Sequence, residues 1–465
     1  MIEKVAPSSN APRIVLSLIV VAYLGLALLY ARSVPKWNAP DEPGHFNYVK
    51  TIAQTGTLPI LQQGDYDQDF LAKATAARFP DSMPVDGIRY ESHQPPLYYL
   101  LATPLLWLGS RLDISTQVLI LRLLSVIFGA LTVLVTFGTA RRLFPNDAIV
   151  PLAASAFVAF LPMHLFMDAA IDNDSLANLL LSTLLFCLVT SLQNRPASAA
   201  SKLELAYTLD RQALLWGVLV GLGILTKDTA SVGAILVVAV VLWQEFGTSG
   251  WELVSAVSGA SIRRAIWRLV QAGGVALIVS GWWFVRNAVV YGNLDIFARA
   301  RHDQVVVGQP LTGTFDVTAA RHFLLVSFKS FWGIFGWMGT VMDERVYLVL
   351  ALLTGCAILG LLLYLGHISL RPSELSPNQR ASLVVLALAF GLVLAGVLQY
   401  NFTYVQPQGR YFFAAIAPIA IFFTLGLREL ISARYAAICF ALLSIGLFAL
   451  DVVALNRFIL PDLVR

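Results

Sequence analysis

Apolar stretches, each close to the roughly 20 residues that a bilayer core demands of a helix, recur along the chain between short polar segments. The first runs from about Ile14 to Tyr30, behind Lys4 and Arg13. Others fall near residues 117 to 140, 148 to 167, 176 to 193, 212 to 226, 229 to 245, 268 to 287, 346 to 366, 381 to 400, 411 to 427 and 435 to 455. This pattern predicts an all-α polytopic membrane protein with about eleven transmembrane helices. No repeat, low-complexity tract or soluble unit interrupts it, so 1–465 reads as a single transmembrane domain.

Charge sets the orientation. With the N-terminus in the cytoplasm, the inner connections carry Arg141 and Arg142, then Arg195, Lys202 and Arg211, then Arg263, Arg264 and Arg268, then Arg371 and Arg380, and finally Arg428 and Arg434. Each is positive, as cytoplasmic loops are. The first span reads as a retained signal-anchor: Ala31-Arg32-Ser33 loosely resembles a cleavage site, but the run exceeds a usual signal-peptide core. The protein is therefore expected in the cytoplasmic (inner) membrane. Residues 32–116, 288–345 and 400–410 then face the extracytoplasmic side and are expected to hold the chemistry. Pro95 to Leu108 opens on two prolines and is too short to span, so it reads as a juxtamembrane amphipathic helix in the interface.

Composition agrees. Of 465 residues, 57% are hydrophobic and only 13% charged, against about a quarter charged in soluble proteins. The net charge of +4 gives no basic stripe for nucleic acid. Cys187, Cys356 and Cys439 all lie in apolar runs and read as buried hydrophobes. There is no HExxH, Walker-type loop or dinucleotide fingerprint, which removes intramembrane metalloproteases, nucleotide-driven pumps and nucleotide-sugar enzymes.

Asp41 and Glu42 lie about ten residues beyond the first span, between Pro40 and Pro43, with His45 one helical turn on. Such a carboxylate can serve as a general base or simply cap the following helix. Tyr90-Glu91-Ser92-His93-Gln94-Pro95-Pro96-Leu97-Tyr98-Tyr99 places a second polar group before the interfacial helix. Lys227, at the outer end of an apolar span pair, needs a partner, either a ligand phosphate or Asp228. Arg286, just past Trp282-Trp283, reads as a phosphate contact or a snorkelling span-end cation. Arg410 follows a glycine in a polar loop with Gln406 and Gln408, and reads as a phosphate or sugar contact or an ordinary loop cation. Asp172 and Asp174 flank Asn173; they read as helix caps or as oxygen ligands for a divalent cation. Asp65-Tyr66-Asp67-Gln68-Asp69 lacks the glycine and closing glutamate of a calcium loop. The run from Phe331 to Trp337 offers an aromatic surface for a sugar or lipid, or an interfacial belt.

An acidic pair soon after the first span, a helix through Phe46-Asn47-Tyr48, and His-Gln-Pro-Pro-Leu-Tyr-Tyr together resemble the GT-C superfamily of lipid-sugar-dependent glycosyltransferases. The likeness is nearest to the protein O-mannosyltransferase and lipid A aminoarabinose transferase branch. It continues through Arg122 with Gly129, Pro162, Asp172-Asn173-Asp174, Leu225-Thr226-Lys227, Trp283-Phe284-Val285-Arg286-Asn287 and Gln408-Gly409-Arg410-Tyr411-Phe412. The last three stretches also resemble a little-characterised branch of related multi-pass membrane proteins. His93 stands where the aminoarabinose transferases have lysine, and no large soluble domain follows the last span, unlike the oligosaccharyltransferase branch.

The resemblance implies an inverting glycosyltransferase that moves a sugar from a polyprenyl-phosphate donor to an acceptor hydroxyl on a lipid, glycan or protein at the extracytoplasmic face. It implies Asp41 and Glu42 as the catalytic pair and His93, Lys227, Arg286 and Arg410 as donor phosphate or sugar contacts. His45, Gln94 and Tyr98 would support them, and Asp172 and Asp174 would hold a divalent metal, Mg or Mn, if one is used. The competing readings are a flippase for lipid-linked sugars and a non-catalytic envelope-assembly scaffold.

Overall fold

A computed structural model describes residues 10–194, 209–247, 258–292, 294–313 and 315–464; Lys4, Arg195 and Lys202 lie outside them. Among the described residues nine helices are long and apolar enough to cross a membrane, and the chain is an integral membrane protein. They include Ala11–Ser33, Ile114–Leu143, Asp174–Gln193, Gly259–Tyr291, Glu344–Leu370 and Pro377–Asn401. A tenth crossing is broken: Ile149–Ala159 and Pro162–Asp168 meet at 60°. Pro162 cannot donate to the preceding turn, and Phe160 and Leu161 leave helical geometry ahead of it. The fifth expected span, near 212 to 226, is the 14-residue helix Arg211–Ile224, short of a full bilayer crossing. Leu97–Leu108, 12 residues long, is likewise too short to span.

Local signals start and stop these helices. Asp113 accepts from the Ser115 and Thr116 amides to cap Ile114–Leu143, whose last turn carries Arg141 and Arg142. Ser376 and Gln379 form a reciprocal capping box ahead of Pro377–Asn401.

The segments 32–116 and 288–345, expected on the outer side, fold over one end of the bundle. The first contributes Glu42–Thr55 and the short turn Tyr90–His93 leading into Leu97–Leu108. The second contributes Arg299–Val305, Val317–Gly333 and a two-residue hairpin pairing Ile334–Phe335 with Thr340–Val341. Trp337 Nε1 donates to the Trp37 carbonyl at 2.9 Å and fastens one segment to the other. The aromatic run is not an open sugar-receiving surface. Trp332 and Phe335 are fully buried, Trp332 against Phe157 and Phe423 and Phe335 against Phe166, because burial of large aromatic area outweighs interfacial exposure here.

Candidate active site

Asp41 precedes Glu42–Thr55 in the left-handed region, with φ 66° and ψ −7°, and makes no side-chain capping bond. A non-glycine residue in that region costs free energy and is retained where its surroundings over-determine it. The over-determination comes from Glu42. Its carboxylate receives Arg122 Nε and Nη2, both at 2.7 Å, the Trp37 amide at 2.8 Å and the Ile171 amide at 3.2 Å. Arg122 also donates to the carbonyls of Ala31 and Val34. Glu42 and Arg122 are both buried, and this bidentate pair ties the first outer segment to two spans and to the 171–172 turn. Glu42 therefore faces a protein cation and backbone amides.

The Asp41 carboxylate accepts from Arg410 Nη2 on Oδ2 and from the Tyr90 hydroxyl on Oδ1, each at 2.6 Å. Burial pushes this carboxyl up, but Arg410, the Tyr90 hydroxyl and His45 outweigh it and hold it at about 2. Arg410 is oriented in turn by Gln408 Oε1, which accepts from its Nε at 2.7 Å. Gly409 allows this loop to pack: a Cβ there would sit 2.1 Å from the Phe331 amide nitrogen, so the close approach is to the helix Val317–Gly333. Its own amide donates to Ser330 Oγ at 2.7 Å.

His45 lies where the one-turn spacing predicts, beside Asp41. Its Nδ1 is 2.9 Å from the Tyr99 hydroxyl and its Nε2 is 3.6 Å from Asp172 Oδ1. Burial holds the imidazole toward its neutral form. Asp172 accepts the Asp174 amide on Oδ1, while its buried Oδ2 has no hydrogen-bond partner. Burial and the neighbouring Asp174 push its carboxyl up to about 7. Lys227 pairs with Asp174 Oδ1 at 2.6 Å and not with Asp228, whose carboxylate faces Arg299 at 3.9 Å. Asn173 Nδ2 donates to the Thr226 carbonyl and toward Gln94 Oε1, and the Leu97 amide donates to the Leu225 carbonyl. These bonds bring the Leu-Thr-Lys turn, the Asp-Asn-Asp turn and the start of the interfacial helix to one place.

Arg286 is the predicted donor contact that the structure turns elsewhere. Its Nη2 donates to the Pro59 carbonyl at 2.5 Å and its guanidinium lies over Trp283 and Tyr291. Tyr98 is buried behind the site, with its hydroxyl 2.8 Å from Ser125 Oγ. His93 Nδ1 is held by the Tyr90 carbonyl at 2.8 Å.

The acids do not make a metal centre. Asp174 is taken by the Lys227 ammonium, Asp41 is saturated by Arg410 and Tyr90, and no group of three or more metal-ligating side chains converges among the described residues. Asp172 Oδ2 alone is one oxygen donor, against the several that Mg or Mn takes. The Asp172–Asp174 pair thus does not fit the divalent ion expected of it.

Tyr90 and Glu91 stand inside the motif that drew attention to His93, yet they received no role from sequence. Glu91 is 7% exposed, its Oε2 has no partner, and a Cβ on Gly44 would lie 2.9 Å from its Cγ. Burial and the carboxylates of Asp41 and Asp172 raise it to about 7 against the pull of His45 and Lys227. A narrow crevice continues beside Arg410, lined among others by His164, Asp168, Asp172, Asp174 and Asn178. The site is a buried, mixed-charge chamber at one end of the helices, with two ion pairs, Arg410–Asp41 and Lys227–Asp174, and two carboxyls, Glu91 and Asp172, pushed up to about 7.

No protein-family model matches the chain, and no curated protein sequence does. Solved structures do. ArnT from Cupriavidus metallidurans in the apo state matches over 98% of this chain and 74% of its own, with 14% identity and a TM-score of 0.54. The same protein bound to undecaprenyl phosphate matches with a TM-score of 0.51 at 14% identity, over the same shares of both chains. The apo Archaeoglobus fulgidus oligosaccharyltransferase matches over 97% of this chain and 55% of its own, with 15% identity and a TM-score of 0.54. The chain thus spans about half the length of the oligosaccharyltransferases it matches. At such identities the likeness is one of architecture: this all-α membrane protein has the GT-C fold.

Proposed function

We propose that the protein is an inverting glycosyltransferase that moves a sugar from a polyprenyl-phosphate donor to an acceptor hydroxyl on the extracytoplasmic side of the cytoplasmic membrane. The observation that carries this reading is Asp41, a carboxylate in a strained backbone conformation that caps nothing and is aimed at Arg410 and Tyr90. Undecaprenyl phosphate bound to a protein of the same fold supports the donor class.

In the proposed reaction the acceptor oxygen attacks the anomeric carbon as the bond from that carbon to the phosphate oxygen breaks. The acceptor proton passes to Asp41, and the bonding pair leaves with the phosphate. Lys227 and Arg410 stabilise the charge that develops there, Arg410 as a planar fork and Lys227 as a point charge. Arg410 has a double allegiance. A phosphate that draws the guanidinium away from Asp41 removes the group that keeps this carboxyl acidic, so donor binding itself makes Asp41 a stronger base. One displacement inverts the anomeric configuration. Glu42 and Arg122 act by holding the Asp41 turn.

The test is transfer from a panel of polyprenyl-phosphate sugars by the purified chain in phospholipid vesicles, with the anomeric configuration of the product read by NMR. Transfer with inversion is expected from at least one donor. Retention, or movement of labelled donor between leaflets without transfer, contradicts the reading.

A further inference from the structure

Arg299–Val305, in the second outer segment, lies against the turn Tyr90–His93 of the first. The His302 and His93 rings have centroids 4.7 Å apart at an interplanar angle of 55°. Each ring has its Nδ1 engaged. His93 Nδ1 faces the Tyr90 carbonyl at 2.8 Å, and His302 Nδ1 faces Asp303 Oδ1 at 3.1 Å. Asp303 is itself fixed by the Tyr404 hydroxyl, from the third outer segment, at 3.1 Å. A carbonyl or carboxylate against Nδ1 places the hydrogen there and leaves Nε2 as the functional nitrogen of both rings.

The helix that carries His302 is anchored from several sides. Asp295 accepts the Ala300 and Arg301 amides, and Gln63 Nε2 donates to the Gln304 carbonyl from the first segment. Its arginines have their own contacts, Arg299 with Asp228 and Phe297 and Arg301 with Tyr291. The charged and titratable groups facing the histidine pair are Lys227 and His45 on the His93 side and Asp303 on the His302 side. The Lys227 ammonium, although held 2.6 Å from Asp174 Oδ1, still works against positive charge on His93 and so disfavours a metal cation at the pair.

We infer that His93 and His302 form a two-imidazole clamp for a phosphate monoester, closing over the group that Lys227 attracts. The inference deepens the donor reading above and rests on it. It adds His302, from an outer segment that supplies none of His93, Lys227 and Arg410. It also assigns the chemistry of the clamp. An imidazole whose Nδ1–H is committed donates from Nε2 only as the imidazolium, so this phosphate is bound together with protons. Burial, His302 and Lys227 hold His93 at about 3 in the absence of an anion, so the proton arrives with the ligand. Phosphate binding then weakens as pH rises, which a lysine in place of His93 would not cause.

The experiment measures the dissociation constant of undecaprenyl phosphate for the full chain in detergent at about pH 6 and about pH 8, on either side of the unperturbed imidazole range. Inorganic phosphate is measured beside it to separate lipid-borne from free phosphate. The wild type is expected to bind the lipid on the order of tenfold more weakly at the higher pH. His302→Gln should bind more weakly with a shallower pH response, and His302→Lys should restore affinity while keeping that shallower response. An equal constant and an equal pH slope in wild type and His302→Gln overturn the clamp while leaving the donor reading intact. If the wild type binds no polyprenyl phosphate at either pH, the clamp and the donor reading fall together. His302 is only about one-fifth exposed, so the Tm of each variant is measured beside its binding to separate loss of the clamp from loss of folding.

Discussion

Arg410 Nη2 lies 2.6 Å from Asp41 Oδ2, although 369 positions separate the two residues in the chain. The pair closes one end of the bundle over one carboxylate and sets that carboxylate's acidity. Replacing Arg410 by Gln removes the largest group holding Asp41 near 2 and lets burial push its carboxyl up. The acid limb of kcat/KM against pH is therefore expected to move upward by about one unit or more in Arg410→Gln. A loss of transition-state charge stabilisation should add a rate penalty on the order of 10². A pH–rate profile identical in shape to that of the wild type contradicts this coupling.

Glu42 and Arg122 form a buried bidentate pair, and removing one partner strands the other. Glu42→Gln is expected to destabilise the fold by roughly 3 to 5 kcal/mol. Thermal unfolding in detergent should show a lowered Tm, while undecaprenyl phosphate affinity per folded molecule stays near that of the wild type. Unchanged stability with abolished turnover would instead give Glu42 a direct part in the chemistry.

Glu91 makes stability depend on pH in a stated direction. Its folded-state value, about 7, lies above the ordinary glutamate value of 4.5, so the folded state holds this proton more tightly than the unfolded one. The contribution is full below the unfolded value and is lost as pH rises through the folded value. Between about pH 5 and about pH 8, Tm should fall in the wild type and fall less in Glu91→Gln. Asp172 has the same sign, so the slope should shrink rather than vanish.

Gly129 is required by a neighbouring contact. A Cβ there would meet the Tyr23 hydroxyl at 2.0 Å and Asp168 Oδ2 at 2.2 Å, where Tyr23 donates to Asp168 at 2.8 Å. Gly129→Ala is expected to cost about 1 to 3 kcal/mol by overpacking. Adding Tyr23→Phe, which removes the nearest atom, should return part of it. A neutral Gly129→Ala would show that this contact is not tight.

The architecture was legible because a membrane span needs little more than a long apolar run, and the runs from Ile14 to Tyr30 and from 381 to 400 each gave one. What composition could not reveal was geometry inside a run. Pro162 bends the crossing near 148 to 167 by 60°, and the helix Arg211–Ile224 stops short. At the site, local motifs located Asp41, His45, His93, Lys227 and Arg410, since prolines and charges beside apolar runs stand out. Partners were not legible. Lys227 turns from its neighbour Asp228 to Asp174, because its extended backbone and the 3-10 turn Asp228–Ser231 that follows direct the two side chains apart. Glu42 looked like Asp41's twin, but consecutive residues at a helix start face different ways, and only the fold brings Arg122 to it. The aromatic run after residue 330 reads the same whether it faces lipid, sugar or core, so its burial is a tertiary fact.

The central claim is that Asp41 receives the acceptor's proton. It is tested most directly by single-turnover transfer from a polyprenyl-phosphate sugar, comparing wild type with Asp41→Asn at matched folding and donor occupancy. General-base assistance is worth about 10² to 10⁴ in rate, and a loss of that size with donor binding retained is the predicted result. Equal rates in the two proteins would contradict it and leave Asp41 as a structural partner of Arg410.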